Sequence, residues 1–257
     1  MGESLNMKKT AVFTIASLNY LAHVRSLMES VNEHNNNVDT YLLLVDDTES
    51  INDYYSDQFT TVLSKDIGID SFEKMAFKYN IMEFNTSVKP FFISYLFEKK
   101  YEKVIYFDPD IYVYNSLDNI CALLDDHNVV LTPHITSEMP CDGKIPNEEV
   151  FLLSGTFNLG FFAISKSEKA ISFIRWWQSR LASKCYRDEQ EGLFVDQKWI
   201  NLIHCFLDRI HVLKDKGCNV AYWNFHERII DEQKIDGDDL VFFHFSGFCF
   251  DDIERIS

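Results

Sequence analysis

Positive charge is scarce in this sequence of 257 residues. Lys and Arg number 24 against 40 Asp and Glu, which gives a formal net charge of −16 at pH 7. A chain with this deficit is a poor partner for a nucleic-acid backbone or for an anionic membrane surface. It can still bind a phosphate-bearing small molecule where a metal ion supplies local positive charge. We therefore expect no nucleic-acid partner.

The cysteines lack the close spacing of metal and disulfide motifs. None of the six belongs to a Cys-x-x-Cys pair, so the sequence supports neither a zinc site nor a disulfide framework. In a chain of this length we expect reduced thiols, as in the cytosol, and we predict a cytoplasmic location. The six are Cys121, Cys141, Cys185, Cys205, Cys218 and Cys249.

Long apolar runs are absent as well. The longest, residues 150–164, is interrupted by polar residues and glycines, so no segment is predicted to span a bilayer. Residues 11–16 follow two lysines and imitate a short signal peptide, but the run is brief and no small-residue cleavage site follows it. We interpret this run as the first strand, and residues 1–6 as an extension ahead of a second methionine, Met7.

The sequence does contain enough apolar material for a substantial core. Hydrophobic residues make up 46% and aromatic residues 15%, so disorder is not expected, and the length suits one large domain. Runs rich in β-branched and aromatic residues alternate with segments of helical periodicity, which predicts a Rossmann-like α/β domain whose mostly parallel mixed central sheet is flanked by helices. The predicted strands cover residues 10–16, 40–45, 60–64, 104–107, 128–131, 158–165, 209–213 and 240–243, and the predicted helices 18–32, 71–79, 87–99, 116–124 (capped by Ser116), 167–183 and 191–206.

Two acids, Asp108 and Asp110, stand at the end of a predicted buried strand with Pro109 between them. Proline favours an extended backbone in the residue before it, and in an extended segment residues i and i+2 face the same side. Two carboxylates that face one ion suit Mg²⁺ or Mn²⁺ together with substrate phosphates. The alternative is a turn with two solvated acids.

Other segments are expected to converge on the same edge of the sheet. Asp46 and Asp47 also follow a predicted strand, and ligands of doubly wound sheets bind beyond the carboxyl ends of the strands. Residues 133–149 are polar and weakly periodic, and we interpret them as a long loop near the site, of the kind that often forms a lid.

Residues 106–111 resemble the Asp-x-Asp motif of glycosyltransferases with the A-type fold, and further segments agree in order along nearly the whole chain. Residues 241–248 resemble the late His-Phe-x-Gly motif of the family 8, glycogenin-like group, in which the histidine is a third metal ligand. Residues 14–20 resemble the nucleotide-binding strand and turn of these enzymes, and residues 89–95 resemble the helix before the central strand. Residues 157–162 resemble the acceptor-side strand, and residues 196–201 resemble an Asp-Gln-x-x-x-Asn segment.

The resemblance implies a single A-type glycosyltransferase domain over residues 1–257, with a nucleotide-binding half at about 8–115 and an acceptor-side half at about 116–257. It implies a metal-dependent hexosyltransferase that takes a sugar from a nucleotide-sugar donor, UDP-linked, and transfers it with retention to a saccharide, lipid-linked or protein acceptor. Assembly of bacterial polysaccharide is the expected setting.

The resemblance also implies the roles of individual residues. Asp108, Asp110 and His244 would hold Mn²⁺ or Mg²⁺, and the imidazole favours Mn²⁺. Asp196 or Gln197 would stabilise an oxocarbenium-like centre in a retaining enzyme, whereas Asp196 would be the general base in an inverting one. Donor contacts are implied for Thr14, Ala16, Tyr20, Asp46, Lys89, Asp108, Asn158 and Gly247.

Residues 218–224, with Asn219, Trp223 and Asn224, also resemble a segment near the acceptor, and Asn158 and Gly160 would expose strand backbone to the sugar. Each of these assignments has a plainer alternative. The alternatives are a core position for His244 and Trp223, a helix start for Tyr20, a turn for Asp46 and Asp47, a β-bulge for Asn158 and Gly160, and a half-exposed helix for Asp196 and Gln197.

Two features depart from the family 8 pattern. Its members usually follow the late motif with a lysine and a Pro-Trp pair that grips the diphosphate, whereas here no basic residue follows Phe248 before Arg255. The sequence ends soon afterwards, at Ser257, which fits a catalytic domain cut from a longer protein. Competing functions are a sugar-1-phosphate nucleotidyltransferase, which normally needs a glycine-rich basic loop that residues 16–20 lack, and a non-catalytic sugar-nucleotide-binding module.

Overall fold

The structure of the protein, a computed structural model, describes residues 9–46 and 56–248. Outside these ranges lie the predicted extension at residues 1–6, Asp47, Cys249, and the segment up to Arg255 and Ser257. The strands are β1 (Thr10–Ala16), β2 (Val38–Leu44), β3 (Thr60–Leu63), β4 (Lys103–Phe107), β5 (Ile111–Val113), β6 (Val129–Pro133), β7 (Phe157–Ser165), β8 (Arg187–Asp188), β9 (Leu193–Phe194), β10 (Ile210–Val212), β11 (Ile230–Asp231), β12 (Lys234–Ile235), β13 (Asp238–Asp239) and β14 (Phe242–His244).

The helices alternate with these strands over the first two thirds of the chain. They are α1 (Leu21–His34), α2 (Phe72–Lys78), α3 (Ile81–Ser87), α4 (Lys89–Glu98), α5 (Asp118–Asp126), α6 (Glu148–Ser154), α7 (Glu168–Lys184), α8 (Gln197–Ile200) and α9 (Ile203–Phe206). Short 3₁₀ turns cover Leu18–Tyr20, Ser64–Asp66 and Tyr222–Glu227. No helix in the described ranges has the length and apolar character needed to cross a bilayer.

A seven-stranded sheet in the order β10-β6-β7-β4-β1-β2-β3 forms the centre of the fold. Its neighbouring strands pair in parallel except at β7, which is antiparallel to both β4 and β6. All residues of β1, β4 and β7 are buried, as expected for strands that are covered on both faces. The predicted α/β class with a mostly parallel mixed sheet is confirmed.

Alternate residues of β1 show how helices cover the two faces. Phe13 packs against Phe92 of α4, with ring centroids 5.2 Å apart, and both lie in the same core cluster as Trp177 of α7. Val12, the neighbouring residue, lies in a second cluster with Leu27 of α1. The period of two along the strand therefore separates the core into two layers, one beneath α4 and α7 and the other beneath α1 and α5.

A second, two-stranded sheet lies next to the end of β4. Its strands β14 and β5 pair antiparallel, and their register places His244 opposite Ile111 and Phe242 opposite Val113. The turn at residues 108–110 joins β4 of the central sheet to β5. This pairing brings the last described strand of the chain back to the middle of the sheet.

Two local predictions were wrong. Residues 191–206 do not form one helix: β9 comes first, Val195 adopts a left-handed φ of +39°, and α8 and α9 are separate turns. Several short turns with buried apolar residues imitated the helical period. The cap of α5 is not Ser116 but Leu117, although the Ser116 hydroxyl does accept the Asp118 N–H (3.1 Å). The predicted loop 133–149 is confirmed over residues 134–147, and α6 begins after it.

Candidate functional site

Asp108 and Asp110 flank Pro109 in the tight connection between β4 and β5. The Ile111 N–H donates to the Asp108 carbonyl (3.1 Å) and closes the turn, while the Asp108 N–H donates to the Gly160 carbonyl of β7 (2.7 Å). The two acid side chains keep 32% and 26% of their surface exposed. Two carboxylates therefore emerge together at the carboxyl edge of the sheet, fixed by backbone bonds on either side.

His244 reaches these acids because β14 pairs with β5. The Phe245 N–H donates to the Asp110 carbonyl (2.9 Å) and holds the end of β14 against the turn. His244 Nε2 lies 3.2 Å from Asp110 Oδ1 and 3.8 Å from Asp108 Oδ2. One ligand atom from each of the three residues lies within 4.8 Å of the others. The predicted metal ligands are thus brought together from distant parts of the chain.

This set of donor atoms fits a divalent cation. Two carboxylates and one imidazole leave coordination positions for phosphate oxygens, and imidazole suits Mn²⁺ better than Mg²⁺, which prefers oxygen ligands. Among the described residues, Asp108, Asp110 and His244 are the one group of three His, Cys, Asp or Glu side chains that meets this spacing.

The electrostatics of the cluster favour positive charge at its centre. Burial raises the pKa of Asp108 above its usual range, and the Asp110 carboxylate adds to that rise. Burial also acts on Asp110, but the His244 ring outweighs it by charge and hydrogen bonding, so the pKa of Asp110 is lowered. Burial would lower the pKa of His244, yet the two acids raise it overall. The two acids therefore stabilise positive charge at this point.

Lys89 and Asp196 form an ion pair beside this cluster, in the interior of the protein. Lys89 Nζ lies 2.6 Å from Asp196 Oδ2 and donates to the Leu159 carbonyl (2.9 Å). It also sits 4.0 Å from the centre of the Tyr106 ring. The side chains are 1% and 3% exposed. Burial raises the pKa of Asp196, whereas the ammonium and backbone N–H groups act to lower it. Lys89 is enclosed in this conformation, so its immediate partner is Asp196.

Gln197 is also buried, which excludes the half-exposed helix considered for Asp196 and Gln197. Its Oε1 accepts the Leu159 N–H (3.1 Å) and its Nε2 donates to the Ser154 carbonyl (3.1 Å). The amide therefore joins the end of α6 to the interior of β7. Both ends of the amide are engaged, so Gln197 is positioned by the backbone on two sides.

Asn158 and Gly160 on β7 lie behind His244. Asn158 is 8% exposed, and its Oδ1 lies 3.2 Å from His244 Nδ1. A Cβ added to Gly160 would come within 2.3 Å of His244 Cε1. The His244 ring therefore fills the space beside the Gly160 Cα. Only glycine allows the imidazole to approach the strand this closely.

The residues predicted to contact a nucleotide divide into buried and exposed positions. Thr14 and Ala16 are buried within β1, and Thr14 Oγ1 has no hydrogen-bond partner among the described residues. Asp46 Oδ2 accepts the Leu18 N–H (2.6 Å), so this carboxylate closes the turn after β1. Tyr20 is 42% exposed and faces open space near the acids.

That space is a cavity of about 350 Å³. Its wall includes Asp110 and the predicted donor residues Tyr20 and Gly247, the latter with φ of +72°. Most of the remaining wall is aromatic: His23, Tyr112, Tyr114, Phe245 and Phe248. An aromatic cavity that opens beside this pair of acids suits a flat ring attached to a charged group.

The sequence interpretation missed two side chains that support the cluster. The Tyr106 hydroxyl donates to Asp108 Oδ1, and period-two spacing along β4 was a signal that could have identified it. His134 contacts Asn158 Nδ2 at 3.5 Å and stacks on Phe151 with ring centroids 4.8 Å apart. Nothing in the local sequence indicated His134, because it follows β6 in a polar loop and meets Asn158 only through the pairing of β6 with β7.

Comparison with solved structures places this arrangement in a known fold. The galactosyltransferase LgtC, solved with donor and acceptor sugar analogs, superposes with a TM-score of 0.56 at 15% identity, covering 92% of this chain and 87% of LgtC. A glycosyltransferase involved in glycosylation of the major capsid of PBCV-1 gives 0.53 at 12% identity, covering 96% and 98%. GlyE of Streptococcus pneumoniae TIGR4, also a glycosyltransferase, gives 0.50 at 20% identity, covering 83% and 47%. The fold is that of the A-type glycosyltransferases.

The sequence relatives of this chain share only about a quarter of its residues. It is 26% identical to the uncharacterized protein YfnF of Bacillus subtilis (strain 168) over 184 residues, 68% of this chain and 59% of YfnF. It is 23% identical to the uncharacterized protein YfnD of the same strain over 246 residues, 91% of this chain and 76% of YfnD. No protein-family model matches. The chain thus spans less than two thirds of YfnF and about half of GlyE.

Proposed function

We propose that this protein is a metal-dependent glycosyltransferase that takes a hexose from a UDP-linked donor and transfers it with retention of configuration. The observation that carries the proposal is the meeting of Asp108, Asp110 and His244 at the carboxyl edge of an A-type sheet. A divalent ion held there would offset the negative charge that develops on a nucleoside diphosphate as the sugar leaves. Together with the late motif, this ligand set favours the family 8, glycogenin-like group.

The cavity beside the acids is the proposed nucleotide site. Tyr20 offers an exposed aromatic face for a base, and Gly247 allows the ligand to approach the chain after β14 closely. Thr14 and Ala16 remain proposed contacts through the end of β1, and the carboxylate of Asp46 keeps the turn between them and Tyr20 closed. The ribose and base would therefore meet a preformed surface.

Asp196 and Gln197 are the proposed catalytic residues. Lys89 holds the Asp196 carboxylate in one place, and two backbone groups hold the Gln197 amide. A fixed carboxylate and a fixed amide oxygen are suited to stabilising positive charge at an anomeric carbon without reorganisation. In this arrangement Lys89 affects the donor by holding Asp196 in place, and Asn158 affects it by holding His244 in place.

The acceptor proposed is a saccharide, lipid-linked or protein hydroxyl, with a cytoplasmic setting in bacterial polysaccharide assembly. Cys121, Cys141, Cys185, Cys205 and Cys218 are free thiols, which is compatible with that compartment. A sugar-1-phosphate nucleotidyltransferase is not favoured, because the turn after β1 lacks glycine and arginine at residues 16–20.

Thermal unfolding with UDP, with and without Mn²⁺, tests the proposal. We expect UDP to raise the Tm only when Mn²⁺ is present, because a ligand that binds the native state stabilises it by mass action. Asp110→Asn should remove this dependence, whereas Asp126→Asn, the same change at the exposed end of α5, should not. A release assay over a panel of nucleotide sugars then identifies the donor.

Two outcomes would refute the proposal. The first is no Tm shift with any nucleoside diphosphate plus Mn²⁺ or Mg²⁺. The second is donor turnover by Asp110→Asn at the wild-type rate. Binding of UDP without turnover of any donor, over the same panel and with added acceptors, would instead identify a sugar-nucleotide-binding module.

A further inference from the structure

The side of His244 that faces away from the acids is held by Asn158. His244 Nδ1 lies 3.2 Å from Asn158 Oδ1, and the two residues are 3% and 8% exposed. The Trp223 ring stands almost perpendicular to the imidazole, at 88° and 5.2 Å between centroids. These contacts hold the ring with Nε2 directed toward Asp110.

The orientation of the Asn158 amide follows from a backbone donor. The Gly160 N–H lies 3.2 Å from Asn158 Oδ1, and a backbone N–H can only donate. Asn219 Nδ2 donates to the same oxygen at 3.2 Å. Because Oδ1 can only accept, His244 Nδ1 must carry a proton. In the neutral imidazole the lone pair then resides on Nε2, the atom beside the two acids.

His134 fixes the other end of the same amide. Its Nδ1 lies 3.2 Å from the Thr156 carbonyl, which can only accept, so Nδ1 is the protonated nitrogen. His134 Nε2 is left to accept from Asn158 Nδ2 over 3.5 Å. Two backbone groups at the start of β7, the Thr156 carbonyl and the Gly160 N–H, therefore determine the hydrogen positions from His134 to His244.

We propose that Asn158, supported by His134 and Asn219, is the positioning residue that presents His244 Nε2 as a metal ligand. This inference rests on the proposed metal site. It gives Asn158 a task different from the donor contact that the family resemblance implies. An acceptor on the second N–H of a ligating histidine fixes both its tautomer and its orientation, and loss of that acceptor typically weakens metal binding about 10- to 100-fold.

Direct titration with Mn²⁺, followed by the electron paramagnetic resonance signal of the free ion, measures this effect without activity. Asn158→Leu removes the acceptor at similar volume and should weaken binding at least about tenfold. Asn158→Asp keeps the acceptor and should bind at least as tightly as wild type. Asn128→Leu is the matched control: Asn128 is fully buried and hydrogen-bonded to Asp208 at the opposite edge of the sheet, so its loss should lower stability and leave Mn²⁺ affinity unchanged.

The tautomer itself can be observed with ¹¹³Cd²⁺ and ¹⁵N-histidine. The wild-type protein should give one cadmium-coupled nitrogen, Nε2 of His244, with the proton on Nδ1, and the signal should vanish in His244→Asn. Asn158→Leu should lose this single species, because either nitrogen is then free to carry the proton.

These measurements distinguish the role of Asn158 from the existence of the metal site. Coupling of cadmium to Nδ1, or equal Mn²⁺ affinity of Asn158→Leu and wild type, would overturn the role of Asn158 and leave the metal site standing. A wild-type protein that binds neither Mn²⁺ nor Cd²⁺ would overturn the metal site and the role of Asn158 together.

Discussion

The buried ion pair of Lys89 and Asp196 predicts that one lysine substitution costs far more than the same change at the surface. Lys89→Met removes the charge at similar length and leaves the Asp196 carboxylate buried without its partner, which is 2.6 Å away. The Leu159 carbonyl also loses its donor. Removal of one partner of a buried pair costs about 3–5 kcal/mol. The unfolding free energy measured in urea should fall by that amount.

Lys169 provides the control. Its ammonium lies at the same distance, 2.6 Å, from Asp208, but these side chains are 66% and 58% exposed. Exposed pairs are screened by water and salt, so Lys169→Met should leave the unfolding free energy unchanged within error. Exposure, rather than distance, then accounts for the difference between the two variants.

The double variant separates stability from chemistry. Lys89→Met with Asp196→Leu removes both charges, and it should be more stable than Lys89→Met alone because no unpaired charge remains in the interior. If Asp196 acts on the donor as proposed, the double variant should fold and bind Mn²⁺ but turn over no sugar nucleotide.

The cost of Lys89→Met should also depend on pH. Burial already raises the pKa of Asp196, and the ammonium that opposes this rise is gone in the variant. A folded-state pKa above the unfolded value means that stability is lost as pH rises through the folded pKa. The variant should therefore be closer to wild type at pH 5 than at pH 8. Equal losses for Lys89→Met and Lys169→Met would refute this reasoning.

The remaining predictions concern the neighbours of His244. Gly160→Ala would place a Cβ 2.3 Å from His244 Cε1, so Mn²⁺ binding measured by calorimetry should be lost. Gly143→Ala, at a position with open space around it, should retain Mn²⁺ binding. Unchanged binding by Gly160→Ala would show that the His244 ring can move aside. Burial lowers the pKa of His134 to about 4. The contribution of neutral His134 to the unfolding free energy should therefore be complete above pH 6.5 and should fall toward pH 4, because the unfolded chain binds the proton at a higher pH than the folded protein does. Between pH 7.5 and pH 5 the protonation of this residue should lower the unfolding free energy by about 2 kcal/mol. Urea titrations at the two pH values measure this loss, and His134→Phe should not show it.

Local patterns were sufficient for the strands that position the site. β1 ends with its apolar run at Ala16, and β4 ends at Phe107, directly before Asp108, because strands covered on both faces consist mainly of apolar residues. The placement of Asp108 and Asp110 side by side is also predictable from local sequence, because it depends only on one turn and on two acids that flank a single residue.

Patterns failed where short elements have no period of their own. The segment around Val195 and α8 contains too few residues to distinguish a helix from separate turns, and a left-handed residue gives no apolar signal. The same applies to α6, whose exposed Leu152 and Leu153 do not mark a buried face.

The sequence by itself determined the α/β class, the edge of the sheet where a site would lie, and the acids that occupy it. The tertiary structure alone decided the partners of each side chain. It joined Lys89 to Asp196, and it set His134 and Asn158 behind His244. These contacts depend on which strands are neighbours in the sheet, and strand order arises from long-range packing that no local spacing encodes.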